Sequence, residues 1–174
     1  MIKKASTACE LLMKTTLALL SATTLSVAVW GVFSRNVLNS SVVWADTIAT
    51  WLFVWTVMLG SAYAVARGGH MEIGIGKDSL PPMAYKLVTI VGFVAVASAA
   101  VFLTYAGWRF VEVSGDTPSP AVGVTQKWVL LAFPVGGVAM VLAALERLLH
   151  AVITPATDLK ATAENIDSIE NEVV

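Results

Sequence analysis

Few residues of this chain could do chemistry. It has two histidines, His70 and His150, and one cysteine, Cys9. The histidines could ligate a haem or a metal, which requires axial or converging ligands inside a helix bundle. Both instead fall just beyond the inner ends of apolar segments, with no second pair to face them. There a cation is favoured by the negative end of a helix dipole. Cys9 has no partner for an intramolecular disulfide, and no CxxC or Cys/His cluster surrounds it, so it reads as a plain thiol. The carboxylates Asp46, Glu72, Glu112 and Glu146 could carry protons, but each sits near the end of an apolar segment, where capping or headgroup contact is the ordinary role. Ser-His-Asp, HExxH and paired-acid motifs are absent. The glycines of Gly68–Gly76 follow no strand and lack GxxxxGK[ST] order, so they form no phosphate loop.

The elements around these residues explain the scarcity. Of 174 residues 57% are hydrophobic and 13% charged, with mean hydropathy +0.77; a soluble domain carries about a quarter charged residues. Net charge is -1, which offers no basic field for nucleic acid. Four apolar stretches, about Leu11 to Phe33, Asp46 to Ala66, Ala84 to Phe110 and Lys127 to Leu149, are each long enough for a hydrocarbon core of roughly 30 Å at about 1.5 Å per residue. The fold expected is an all-α integral membrane protein of four transmembrane helices over 1–153, with an acidic cytoplasmic tail over 154–174. The first stretch has a basic start, Lys3 and Lys4, but a long apolar region and no clean small-x-small site, so it reads as a retained helix rather than a cleaved signal. Lys14 lies at its edge and can snorkel.

Lysine and arginine placement sets the expected orientation. Eight of the eleven, Lys3, Lys4, Lys14, Arg67, Lys77, Lys86, Arg147 and Lys160, lie on the side of the termini and second loop. Arg35, Arg109 and Lys127 lie on the other. Both termini are therefore expected in the cytoplasm. Trp30, Trp44, Trp108 and Trp128 fall near the outer ends of the spans, one belt at one headgroup level. Trp51 and Trp55 lie deeper and four apart, hence on one helix face, either packed on lipid and neighbouring helices or anchoring a partner helix.

Between spans two and three, Met71, Ile73, Ile75, Leu80 and Met83 alternate with charges, which suits an interfacial segment stopped by Pro81 and Pro82. The third loop, Ser114 to Pro120, is dense in turn residues, with Arg109, Glu112 and Asp116 forming a small polar cap. Gly92, Ala95, Ser98 and Ala99 on span three, and Gly136, Ala139 and Ala143 on span four, offer small faces for close helix approach. Pro134 should kink span four. Glu146 and Arg147 read as wet. The tail reads as a solvated end, disordered or docked on a partner.

From Arg35 to Pro82 the chain resembles the small membrane subunit of tripartite ATP-independent periplasmic (TRAP) transporters. The resembling run is Arg35, Trp44-Ala45-Asp46, Leu52-Phe53-Val54-Trp55, Leu59-Gly60-Ser61-Ala62, Arg67, His70-Met71-Glu72-Ile73 and Leu80-Pro81. Ser119-Pro120-Ala121-Val122-Gly123, Trp128 and Pro134-Val135-Gly136 extend it. The family often has two acids after the tryptophan and an arginine further on; here Asp46 stands alone before Thr47, and Thr50 takes the later position.

The resemblance implies a non-catalytic subunit of the bacterial inner membrane, without cofactor or metal of its own. It pairs with a large, elevator-type membrane subunit that carries substrate and sodium sites, and with a periplasmic substrate-binding protein. Implied solutes are organic acids such as C4-dicarboxylates, sialic acid or keto acids. Arg35, Trp44, Asp46, Trp51, Trp55, Gly60, Arg67, His70, Ser119 and Pro120 are the expected contacts to the large subunit or the binding protein, with lipid around the rest. The competing readings are a stand-alone four-span exporter, which typically needs an intramembrane glutamate, a haem subunit, and a membrane scaffold unrelated to transport. The uncharged span interiors favour a chain that supports a companion over one that handles a hydrophilic cargo itself.

Overall fold

Long apolar runs without interior proline become long helices, since in hydrocarbon every backbone N–H and C=O must be satisfied within its own segment. The computed structural model describes residues 2–40, 42–67 and 81–159, with side chains from residue 11 onward. Its helices are α1 (Ile2–Asn36), α2 (Val43–Arg67), α3 (Pro82–Ser114), α4 (Lys127–Leu130) and α5 (Ala132–Ile153). Four stretches, Leu11–Asn36, Val43–Arg67, Pro82–Ser114 and Lys127–Ile153, are long and apolar enough to cross a membrane. They match the four expected spans in place and order, and each runs a few residues further at one or both ends. The expected interfacial segment lies largely within residues 68–80, and the tail beyond 159 likewise lies outside the described residues.

Helix starts and stops follow local chemistry. Pro82 opens α3, where its missing N–H costs nothing, and Pro81 before it is extended (ψ 149°). Between α1 and α2, Asn39 takes a left-handed φ of 49°, which asparagine tolerates. The buried Ser34 closes that turn: its Oγ donates to the Ser40 carbonyl (2.9 Å), and the Ser40 N–H donates to the Ser34 carbonyl (3.2 Å). Span four is interrupted at Leu131, between α4 and α5. Pro134 cannot donate to the Leu130 carbonyl one turn back, so the expected kink takes the form of a break three residues before the proline.

The helices pack as an open chain of neighbours rather than a closed bundle. α1 packs on α2, α2 on α5, and α5 on α3; among the described residues no other pair of long helices packs extensively. The first span is the least buried of the four, and the centre is span four, the most buried. Two clusters hold it. One joins Val65 of α2 to Ala143 and Ala144, with Val96 and Ala97 of α3 against them. The other joins Val111 of α3 to Val129 and Leu130 of α4, with Trp51 and Val54 of α2.

Side-chain size is sorted in reverse of a soluble protein. The buried set is mostly small, including Ala45, Ala62, Ala100, Ala132, Ala144 and Ala151, while leucines, valines and tryptophans point outward. Lipid tails are as apolar as leucine, so burying large side chains gains little; close approach of backbones gains dispersion contact instead. Gly136 and Gly137 make that approach on two sides of α5. A Cβ on Gly136 would lie 2.7 Å from Met58 Cβ of α2, and one on Gly137 would lie 3.0 Å from the Thr104 backbone nitrogen of α3. Gly107 of α3 is as tight, with Phe133 Cβ 2.7 Å from such a Cβ. The small face expected on α5 is thus used: Gly136 and Ala143 are buried and Ala139 half-buried. The one expected on α3 is largely not, because Ala95, Ser98 and Ala99 are exposed and only Gly92 is half-buried; α3 meets α5 through Val96, Ala97, Thr104 and Gly107.

Candidate functional site

The charged side chains described here gather at the two ends of the spans. At the end carrying the α1–α2 and α3–α4 loops, Arg35 closes α1 and Asp46 opens α2. Arg35 Nη1 lies 3.8 Å from Asp46 Oδ2, both side chains well exposed. The pair is positioned by Gly31, on which a Cβ would lie 3.3 Å from both Ala45 Cβ and Asp46 Oδ1. On α3, Glu112 accepts from Trp108 Nε1 (3.0 Å) and from Arg109 Nη1 (3.0 Å). Two of the three residues of the polar cap expected there thus form an ion pair on the helix, and Asp116, the third, is exposed. Trp30, Trp44, Trp108 and Trp128 are all exposed at this same end.

The α3–α4 loop is a small folded unit. Pro118 and Thr125 form an antiparallel bridge. The Ser119 N–H donates to the Val124 carbonyl (2.9 Å), and the Gly123 N–H donates back to the Ser119 carbonyl (2.8 Å). Gly123 adopts φ +70°, a left-handed conformation that glycine takes without strain. Ser119 is buried and Pro120 exposed, so of this expected contact pair only the proline is presented outward.

Trp51 and Trp55 are engaged within the chain. Trp51 packs on the cluster at α4, and Trp55 Nε1 donates to the Trp128 carbonyl (3.1 Å). That bond ties the middle of α2 to the start of span four. Gly60 faces α1, where a Cβ would meet Leu17 at 3.9 Å. Arg67 places its guanidinium 5.6 Å from the Tyr63 ring centroid. His70 lies outside the described residues. His150 Nδ1 stands 3.4 Å from Thr154 Oγ1. Arg35, Trp44, Asp46 and Pro120 thus share one exposed end, whereas Trp51, Trp55 and Gly60 lie between helices and Arg67 at the opposite end.

Two residues at that opposite end were not anticipated as contacts. Arg147 of α5 is half-buried rather than wet; its Nε donates to the Ala66 carbonyl (2.6 Å), and its Nη2 bonds the same oxygen. Lys86 of α3 donates from Nζ to the carbonyls of Val152 and Thr154 (both 2.8 Å). The last carbonyls of a helix have no intrahelical donor and carry partial negative charge. Arg147 therefore caps α2, and Lys86 caps α5, each from a neighbouring helix. Lys86 did carry a signal: a lysine near a helix N-terminus works against its own helix dipole, so its partner had to lie elsewhere. For Arg147, near the end of its own helix, sequence offered no such clue.

Among the described residues no three His, Cys, Asp or Glu side chains converge as a metal site. What the geometry offers instead is surface: one end carrying charge pairs and tryptophans, apolar flanks, and an opposite end closed by inter-helix caps.

Comparison with known proteins shows which family the chain resembles. Residues 24–154 match the family described as tripartite ATP-independent periplasmic transporters, DctQ component. Over 131 residues the chain is 28% identical to the sialic acid TRAP transporter small permease protein SiaQ of Vibrio cholerae, covering 75% of this chain and 76% of that protein. It is 29% identical over 124 residues to the sialic acid TRAP transporter permease protein SiaT of Haemophilus influenzae, covering 67% of this chain but 20% of that protein. It is 23% identical over 79 residues to the C4-dicarboxylate TRAP transporter small permease protein DctQ of Vibrio cholerae, covering 45% of this chain and 34% of that protein.

Proposed function

The chain belongs to the DctQ-component family of TRAP transporters, a multi-pass small permease subunit and not an enzyme, and from that premise we propose that it is the static scaffold of a cation-coupled organic-acid permease. It resides in the bacterial inner membrane with both termini cytoplasmic. A large elevator-type subunit beside it carries solute and coupling ion, with sialic acid or a C4-dicarboxylate the solutes suggested by its relatives' names. A periplasmic binding protein delivers the solute to the outer end, where Arg35, Asp46, Arg109 and Glu112 are presented.

The observation that carries this reading is where charge sits. Arg35 pairs with Asp46 and Arg109 with Glu112 near one end of the spans, and Lys86 and Arg147 turn onto helix-terminal carbonyls near the other. An anion crossing lipid needs compensating groups at membrane depth, and the span interiors hold none. The SiaT match supports a large neighbour: a segment like this chain occupies a fifth of a longer permease, the remainder being joined to it covalently. An elevator needs a fixed element, and tryptophans at one headgroup level resist vertical displacement.

Reconstitution tests the proposal. Proteoliposomes holding this chain together with its genomically adjacent large permease, supplied with the binding protein and a sodium gradient, are expected to accumulate sialic acid or succinate. Proteoliposomes holding this chain alone are expected to accumulate neither. Uptake by the chain alone, or failure of the two membrane proteins to co-purify, overturns the scaffold role.

A further inference from the structure

The flank of α3 and α5 carries an apolar groove of about 730 Å³, opposite the face that α5 turns to α2. That volume is within the roughly 300–1,000 Å³ range of ordinary ligand pockets. Val101, Tyr105 and Trp108 of α3 line one wall, and Pro134, Val138 and Leu142 of α5 the other. Of the two hydroxyls on its lining residues, Thr104 Oγ1 is already committed to the Ala100 carbonyl (2.8 Å), and the other belongs to the largely exposed Tyr105. Apart from the Tyr105 hydroxyl on one wall, whatever fills the groove meets apolar side chains.

Length and charge identify the occupant. Along span four the groove runs from Leu131 to Leu142, about 16 Å at 1.5 Å per residue, or half of a ~30 Å hydrocarbon core. An acyl chain of one leaflet matches that length. The groove also ends on a polar rim. Along α3 the lining positions 101, 105 and 108 continue by helical spacing to Glu112. Glu112 accepts one hydrogen bond on each carboxylate oxygen, from Trp108 and from Arg109. Each oxygen keeps a lone pair, and the Arg109 guanidinium has further N–H groups beyond the one used. The rim thus presents an acceptor for a primary ammonium beside a donor for a phosphate.

We infer that this groove retains one phospholipid with an ethanolamine headgroup, its acyl chain between α3 and α5, its ammonium on Glu112 and its phosphate on Arg109. A choline headgroup carries no N–H and cannot make the first contact. The inference stands independently of the scaffold role.

The full-length chain, purified from nanodiscs of equimolar palmitoyl-oleoyl phosphatidylethanolamine and phosphatidylcholine, should show one bound lipid by native mass spectrometry. The ethanolamine lipid should be enriched roughly threefold to tenfold, as a single charge-assisted contact at an exposed rim provides. Glu112→Gln, on the exposed surface, should bring the two lipids to parity while leaving thermal unfolding unchanged. Val138→Phe, which fills the groove, should lose both adducts; should that variant unfold, the glutamine variant decides alone. Equal retention of the two lipids by the unmodified chain, or a preference that survives Glu112→Gln, overturns the inference. So does a photo-crosslinker at Val138 that captures a helix of the large permease instead of lipid in the assembled complex.

Discussion

Arg147 is the residue whose role depends most on where its neighbours are. It is half-buried and directs two N–H groups at the last turn of α2. Arg147→Met keeps much of the apolar stem but leaves the Ala66 carbonyl without that donor. Because hydrogen bonds to charged groups contribute about 1.5–3 kcal/mol and this site is partly wet, the expected cost is about 1–2 kcal/mol. It is measured as a lowered thermal midpoint of the detergent-solubilised chain. Arg147→Lys should recover part of the loss; a midpoint unchanged in Arg147→Met would mean that solvent caps α2 equally well. By contrast, the Arg35–Asp46 pair is exposed and 3.8 Å apart, so Asp46→Asn should change stability by less than about 1 kcal/mol. If the outer end receives the binding protein, reversing the pair's charges should slow uptake at limiting binding protein without separating the membrane subunits. Unchanged uptake there would remove the docking role from this pair.

At the scale of elements, α5 is the hub, and its two adjacent glycines set its distance from α2 and α3. Gly136→Val would place its first side-chain carbon against Met58. Overpacking of this kind costs typically about 1–3 kcal/mol. The expected result is a lower thermal midpoint and weakened α2–α5 contact, read as loss of disulfide crosslinking between cysteines introduced at Val65 and Ala143. Leu145→Ile, on the outward arc of α5, should leave both unchanged. The small residues of α5 were visible as a face in sequence, because i, i+3 and i+7 spacing places them on one side. Which helix they face was not visible, and on α3 the same reasoning chose the outward side. Small residues mark a permissible contact, whereas the contact made depends on how all four helices share the space.

For the molecule as a whole, the open order of helices leaves large apolar flanks, which suits a chain surrounded by lipid and by a larger membrane protein. Its orientation rests on the excess of lysine and arginine at one side. With Cys9 replaced by serine, a cysteine at Asp116 should react with an impermeant maleimide in intact cells, and one at Thr157 only after the inner membrane is opened. The reverse pattern would invert the chain and remove the outer end from the periplasm. The four spans, their approximate limits and the family could be read directly, since hydropathy and motif order are properties of local sequence.

Sequence alone determined that this chain crosses a membrane four times, keeps charge out of the interior of each crossing and carries four of its six tryptophans near one surface. These follow from the transfer free energies of individual side chains, which depend on depth and not on neighbours. Tertiary structure alone decided that span four lies at the centre and that Trp51 and Trp55 are held within the chain. It also decided that Lys86 and Arg147 close the ends of other helices. Those outcomes depend on which carbonyl or methyl group lies within a few ångströms across a helix interface, a relation between residues as many as 81 positions apart that no local pattern encodes.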